Sequence, residues 1–225
     1  MNTLNDLLSS QKNIMVLHEP ENCTYTHLDL SVANKNLTSE ICSKSDTLGA
    51  FISKYLNQRK AELAVGGYNE ERAIYRRSEI FNDNQSDERN IHIGLDLWAP
   101  ANTPVYAALD GTVHSFAYNE GKGNYGPTII LKHQIDNQEF YTLYGHLDLD
   151  CLKELKVGQA LKKGQKIGVL GDETVNGDYP AHLHFQIIEK IGNNQGDYPG
   201  VCTKSEREFY LNNCPDPNIL LKIKL

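Results

Sequence analysis

The spacing of apolar and polar positions divides the chain into a helical first third and a strand-rich remainder. Apolar residues recur at intervals of three and four from Ser39 to Leu63, which predicts an amphipathic helix that Gly66-Gly67 terminates. The first third also contains a predicted short helix, two predicted extended segments and a polar, turn-rich predicted linker: Leu4–Ser10, Ile14–His18, Tyr25–Val32 and Phe81–Asn90.

From Ile91 onwards, short segments rich in β-branched and aromatic residues predict strands. These segments are Val105–Leu109, Thr112–Ala117, Thr128–His133, Glu139–Tyr144 and His182–Glu189. Asp110-Gly111 predicts a tight hairpin between the first two, because such a turn needs positive φ. Ser205–Asn212 predicts a short helix near the end of the chain.

These elements predict a mainly β fold of the β-rich α+β kind. We expect an antiparallel two-sheet or barrel-sandwich hybrid with an N-terminal helical extension and a short C-terminal helix. We expect residues 1–85 to form an extension that packs on the core. Residues 86–225 would then form the β domain, with residues 191–225 as its tail.

Composition excludes some classes of partner. The 225 residues have a formal net charge of −7 and 40% hydrophobic content, which argues against nucleic-acid binding because phosphate recognition needs clustered Lys and Arg. The apolar run Ile14–Leu17 is too short for a signal peptide or a membrane span. We therefore expect a cytoplasmic protein without membrane insertion, or an exported one if a leader has been removed. The five cysteines are expected to be free thiols, and the sequence leaves the oligomeric state open.

Two histidine motifs carry the chemistry. His92 and Asp96 lie in I-H-I-G-L-D, and His182 and His184 lie in A-H-L-H-F. Residues i and i+2 of a strand point to the same face, and catalytic zinc takes three His, Asp or Glu ligands plus water. His92, Asp96 and one histidine of the pair would supply these ligands, and the other histidine would lie near the bound water. Either motif alone is weak, since H-x-x-x-D pairs are mostly accidental and paired imidazoles on a strand also occur as satisfied core residues.

The order of three blocks strengthens the assignment. With Y-G-H-L at 144–147 between the two histidine motifs, residues 91–190 resemble the lysostaphin-type (LytM-like) zinc metallopeptidases of the duplicated-hybrid-motif kind. The resemblance implies one zinc per chain. It also implies that His92, Asp96 and His184 are the ligands, that His182 is the base near the bound water, and that His146 is its partner.

The loops offer candidates for substrate contact. Asn124 and Tyr125 in K-G-N-Y-G-P occupy the place of a family loop that lines the substrate groove, and a simple turn explains them equally well. Tyr141 and Tyr144 alternate along a strand, so one could face the groove while the other packs; Tyr144 is our candidate. Gly94 and Gly145 are expected to permit close backbone approach near the metal. The remaining histidines are expected to be structural or surface residues: His18, His27, His114 and His133.

The chain also departs from the wall-degrading members of the family. N-G-D-Y-P-A precedes H-L-H-F, where many wall hydrolases have a Gly-, Ser- and Thr-rich loop. The segment looks closer to a non-secreted branch that also occurs inside multidomain chains with an aminotransferase-like domain. We expect a zinc metalloendopeptidase that hydrolyses peptide bonds through a metal-activated water, with a peptide or peptidoglycan-fragment substrate. The alternatives are a metal-binding but catalytically idle regulatory or partner-binding module and, less favoured, a phosphocarrier-like domain.

Overall fold

The computed structural model describes residues 3–19, 23–77 and 87–224, with Arg77 described by its backbone alone. Five α-helices lie within these ranges: α1 (Leu4–Ser10), α2 (Ser39–Ser43), α3 (Ser45–Arg59), α4 (Arg207–Asn213) and α5 (Asn218–Leu221). The predicted linker Phe81–Asn90 lies mostly outside the described residues, and only its last four positions can be followed. None of the helices in the described ranges is long and apolar enough to cross a membrane.

Thirteen strands are found in the described ranges, and they dominate the fold. They are β1 (Tyr25–Leu28), β2 (Leu63–Gly66), β3 (Glu70–Glu71), β4 (Ile91–His92), β5 (Leu95–Trp98), β6 (Pro104–Tyr106), β7 (Gly111–Asn119), β8 (Gly126–Ile135), β9 (Gln138–Gly145), β10 (Ala160–Leu161), β11 (Lys166–Val169), β12 (His182–Ile188) and β13 (Val201–Cys202). An eight-stranded sheet has the order β1-β2-β5-β12-β9-β8-β7-β10, and two small sheets have the orders β11-β6 and β13-β4-β3. The predicted β-rich, mainly antiparallel fold is confirmed, although these sheets do not close into a barrel.

The principal core lies under the eight-stranded sheet. Apolar side chains alternate along β7, β8, β9 and β12, and those on one face are removed from solvent together with Val105 and Leu147. Burial of apolar surface of this extent is the main stabilising contribution to such a domain. All pairings from β5 to β12 are antiparallel, so β5 and β12 are hydrogen-bonded within a continuous sheet.

The N-terminal residues extend this sheet. β2 pairs with β5 in the register Ala64↔Trp98 and Gly66↔Asp96, and β1 pairs in parallel with β2. The connection between β1 and β2 contains α2 and α3, as expected for parallel neighbours, which need a long crossover. The first third of the chain is therefore strand as well as helix. β1 lies within the extended segment predicted from Tyr25 to Val32, whereas the sequence pattern did not indicate β2.

The sequence predicted one helix from Ser39 to Leu63. This prediction is wrong, because the segment forms two helices and then the start of a strand. Lys44 adopts extended dihedrals between α2 and α3, and Lys60 is left-handed after Arg59. Leu63 begins β2, which ends at Gly66, so Gly66-Gly67 marks the end of a strand instead of a helix. The apolar spacing continues through these breaks because α2 and α3 both pack an apolar face into the cluster that contains Leu28 and Trp98.

The predicted hairpin at Asp110-Gly111 is also wrong. The strands on either side belong to different sheets, because β6 pairs with β11 whereas β7 pairs with β8 and β10. Gly111 is needed for space instead, since a Cβ there would lie 2.6 Å from Nδ1 of His133. The two-residue turn joins β8 to β9 and places Asp136 at φ +52°, within the region that Asp tolerates.

Candidate metal centre

Three strands bring the two histidine motifs together. β12 pairs with β5 so that His184 lies opposite Asp96, and β4, two residues before β5, carries His92. Gly94 between them lies against His184, because a Cβ at this position would come within 2.4 Å of that ring. The close approach expected at Gly94 is therefore present, and the missing side chain makes room for the imidazole.

Three donor atoms form a compact triangle. His92 Nε2 lies 2.9 Å from His184 Nδ1, and Asp96 Oδ1 lies 3.2 Å from each of these nitrogens. A tetrahedral zinc site with bonds of about 2.0–2.1 Å separates its donor atoms by about 3.3 Å. The triangle therefore matches one face of such a site in size and in donor type.

The hydrogen bonds behind the two imidazoles give the triangle the donor set that suits a cation. Nδ1 of His92 donates to the carbonyl oxygen of Gly67 at 2.8 Å, which leaves a lone pair on Nε2. Nε2 of His184 lies 3.0 Å from Oε1 of Gln186, whose own amide nitrogen donates to the oxygen of Pro199. The lone pair of His184 is thus on Nδ1. Two nitrogen lone pairs and a carboxylate oxygen converge without a proton between them, and outer hydrogen bonds of this kind orient metal-ligating histidines.

His182 and His146 lie beside the triangle. His182 Nε2 is 3.9 Å from Asp96 Oδ1, and the rings of His146 and His182 have centroids 4.2 Å apart. Each ring donates from Nδ1 to a backbone carbonyl at 2.8 Å, His182 to Pro180 and His146 to Asn176. Each therefore keeps an unprotonated Nε2, the form that accepts a proton.

Burial keeps these rings neutral. It lowers the pKa of His182 to about 4 and pushes that of His146 well below its ordinary value. Burial also lowers the pKa of His92 to about 4, and the nearby Arg72 acts in the same direction. Burial opposes the ionisation of Asp96, yet His92 and Arg72 hold its pKa well below the usual range. The centre is therefore an anionic carboxylate among neutral imidazoles, which favours a cation.

Residues that the sequence did not single out complete the surroundings. Arg72 is buried and donates to Asp96 Oδ2 at 2.5 Å, and Glu70 accepts from Arg72 Nε at 2.6 Å. In the sequence these residues are part of an ordinary charged stretch, E-E-R. Only the pairing of β3 with β4 brings them to the centre, so no local signal could have identified them.

An open cavity of about 320 Å³ leads to the three donor residues, and the two further histidines also line it. Asn124 and Tyr125 line the cavity, and the Tyr125 hydroxyl lies 3.3 Å from His184 Nε2. Gly145 allows this approach, because a Cβ there would meet the Tyr125 ring at 2.7 Å. The backbone amide of Tyr125 donates to Oδ1 of Asn124, so this loop is both a turn and part of the cavity wall.

The prediction that Tyr144 contacts the substrate is wrong. Its side chain is fully buried in the principal core beside Phe185, away from the cavity. Its hydroxyl accepts from the amide of Ala108 at 2.9 Å and from the Thr142 hydroxyl. Tyr141 packs on the other face of β9 with Ile93 and likewise does not line the cavity. Strand alternation correctly placed the two tyrosines on opposite faces. Tyr141 shares the sheet face of His184, but it lies further along the strand and does not reach the cavity.

The other histidines of the β region lie away from the centre. His133 is buried and bonds to the Asp110 carbonyl and the Thr142 hydroxyl. His114 contacts the Ser115 hydroxyl and the Tyr141 ring. Within the described ranges, the group of residues that could hold a metal is His92, Asp96 and His184.

Comparison with known proteins places part of the chain in a family. Residues 90–197 match the model of Peptidase family M23, and the chain therefore contains a domain of that family. Peptidoglycan DD-endopeptidase ShyC of Vibrio cholerae is 37% identical over 98 residues, which cover 43% of this chain and 20% of that protein. An uncharacterized metalloprotease of Haemophilus influenzae is 28% identical over 188 residues, covering 80% of this chain and 35% of that protein. The matched part of this chain thus spans about a fifth to a third of the length of these two relatives.

Other similarities are more distant or point to another role. The murein hydrolase activator NlpD of Salmonella typhimurium is 34% identical over 97 residues, which cover 43% of this chain and 23% of that protein. Among solved structures, the catalytic domain of lysostaphin from Staphylococcus simulans is 25% identical, with a TM-score of 0.38, covering 54% of this chain and 80% of that one.

Proposed function

We propose that this chain is a zinc-dependent metalloendopeptidase that cleaves peptides of the peptidoglycan type. The observation that carries the proposal is the convergence of the lone pairs of His92 Nε2 and His184 Nδ1 with Asp96 Oδ1, beside two further neutral histidines. A structural metal site would have all its positions filled by protein. This site has three donors and opens onto a cavity, as hydrolysis requires.

The residues around the site would divide the chemistry. Zinc held by His92, Asp96 and His184 would lower the pKa of a bound water and polarise the scissile carbonyl. His182 accepts the proton of the attacking water at Nε2, because its Nδ1 proton is committed to Pro180. Once protonated, the ring can return the proton to the leaving amine.

His146 has the same hydrogen-bonding pattern and could share this role. In its neutral form it has no N–H left to donate to an oxyanion, since its Nδ1 proton is committed to Asn176. We therefore assign it to proton transfer instead of charge stabilisation. Tyr125 supplies a hydroxyl at the cavity wall, 3.3 Å from the His184 ring, and is the better candidate to donate to the substrate.

The peptidoglycan part of the proposal rests on the similarity to ShyC. Its test is to incubate zinc-loaded protein with purified peptidoglycan fragments and a panel of short peptides, and to identify products by mass spectrometry. We expect cleavage next to small residues such as Gly or Ala, and none by His182→Ala. The cytoplasmic location expected from the sequence stays a prediction.

A second candidate function is an idle module that binds a partner, which the similarity to the activator NlpD favours. The complete donor set argues against it, because a module without catalysis has no need of an open metal position. Fully metallated protein that cleaves nothing, yet increases peptidoglycan hydrolysis by a separate hydrolase, would establish this alternative.

A further inference from the structure

The segment that precedes the family-matched residues contributes directly to the metal centre. The Gly67 carbonyl accepts the Nδ1 proton of His92 at 2.8 Å, and Arg72 donates to Asp96 at 2.5 Å. Both residues lie outside residues 90–197, the stretch that matches Peptidase family M23. Two of the three donor residues are therefore held by a part of the chain that the family match does not include.

Arg72 is itself fixed from several sides. Its side chain is 1% exposed, its Nε donates to Glu70 at 2.6 Å, and its Nη1 also lies 3.3 Å from the Tyr75 hydroxyl. Glu70 in turn accepts from the amide of Leu30 at 3.2 Å. A chain of hydrogen bonds thus runs from Leu30 through Glu70 and Arg72 to Asp96, so the guanidinium cannot rotate without leaving buried polar groups unpaired.

The arrangement divides the two oxygens of the Asp96 carboxylate. Oδ1 lies 3.2 Å from the donor nitrogens of His92 and His184, whereas Oδ2 is engaged by Arg72. A carboxylate without such a partner can turn and bind a metal through both oxygens. With Oδ2 occupied by a charge-assisted hydrogen bond, only Oδ1 can reach the centre.

We propose that Arg72, held by Glu70, is a positioning residue that makes Asp96 a one-oxygen metal ligand. The proposal rests on the proposed function, since it assumes a metal at His92, Asp96 and His184. Its consequence is that the N-terminal segment completes the metal centre and does not merely cover it.

The experiment compares metal binding by full-length variants. Arg72→Gln removes the cation, Arg72→Lys keeps the charge without the planar fork, and Arg72→Met combined with Glu70→Gln avoids leaving Glu70 buried without its partner. Arg76→Gln is the matched control, because Arg76 lies four residues away in an exposed ion pair with Glu88. Zinc affinity is measured by competition with a chromophoric chelator, and the cobalt-substituted proteins are compared by visible absorption. Circular dichroism verifies that each variant is folded.

We expect Arg72→Gln and the double variant to bind zinc about 10- to 100-fold more weakly, the usual loss when an outer partner of a ligand is removed. Their cobalt spectra should change as Asp96 gains freedom to bind through two oxygens. Arg72→Lys should lie between these variants and wild type, and Arg76→Gln should equal wild type.

The possible outcomes separate this proposal from the proposed function. Folded Arg72 variants with wild-type zinc affinity and cobalt spectrum would overturn the positioning role and leave the peptidase proposal intact. In a second outcome, the Arg72 variants lose zinc affinity as expected while the wild-type protein cleaves no peptide. That result would support the positioning role and count against the peptidase. A wild-type protein that binds no zinc would overturn both.

Discussion

Trp98 lies flat against His182, with ring centroids 4.1 Å apart and planes inclined by 19°. The two residues are directly opposite each other on β5 and β12. The His182 ring also contacts His146, and its Nδ1 is hydrogen-bonded to Pro180. The imidazole is thus fixed by packing and by hydrogen bonding, which is the preorganisation that a general base requires.

Replacing His182 should separate metal binding from catalysis. We expect His182→Ala to keep stoichiometric zinc and to lose about 100- to 10,000-fold in turnover, the usual contribution of a general acid–base group. His146→Ala should have a similar or smaller effect. Zinc content by atomic absorption and peptide cleavage by mass spectrometry test the prediction. Near-normal turnover of the His182 variant would remove it from the mechanism.

Replacing a donor residue should instead remove the metal. His92→Ala and His184→Ala each delete one corner of the donor triangle, and we expect both variants to lose stoichiometric zinc after dialysis. His114→Ala serves as the control, because its ring contacts Ser115 and Tyr141 and does not line the cavity. Full metal content in either donor variant would show that the ligand assignment is wrong.

The sequence predicted the parts of this site that depend on local spacing. His182 and His184 are two residues apart on a strand, so their common face could be read directly, and the glycine between His92 and Asp96 indicated close approach. The role of Arg72 could not be predicted, because it contacts Asp96, 24 residues further along the chain, only after β3 has paired with β4. Tyr144 was misplaced for a related reason, since alternation separates two faces without showing which one opens onto a cavity.

The corrected position of Tyr144 leads to a prediction about stability. Tyr144→Phe should lower the free energy of unfolding by about 1–3 kcal/mol, because the buried amide of Ala108 loses its acceptor. Turnover of the folded variant should stay unchanged. Tyr125→Phe should have the opposite profile, with nearly normal stability and reduced turnover. Urea denaturation and peptide cleavage measure both, and a Tyr144→Phe variant that is stable but inactive would contradict this assignment.

A buried histidine outside the metal centre should make the fold sensitive to acid. Burial lowers the pKa of His133 from 6.5 to about 4, so the unfolded chain takes up the proton first as the pH falls. The stability that neutral His133 contributes is therefore complete above about pH 6.5 and is lost towards pH 4. At pH 5 the loss is about 2 kcal/mol.

Comparison of wild type with His133→Gln isolates this effect, because the other buried histidines are common to both proteins. Urea denaturation at about pH 7.5 and pH 5 should show that wild type loses about 2 kcal/mol more than the variant between the two conditions. Equal losses would mean that His133 does not titrate in this range.

The pairing of β2 with β5 has a practical consequence for how the domain can be handled. A shortened chain that begins after residue 85 would keep every histidine of the site but lose the neighbour of Leu95–Trp98. That strand would become an exposed edge with unpaired amide and carbonyl groups, and such edges recruit strands from other molecules. We therefore expect the histidine motif alone to be a self-associating fragment, because the residues before it cover the edge of β5 and hold that strand in register.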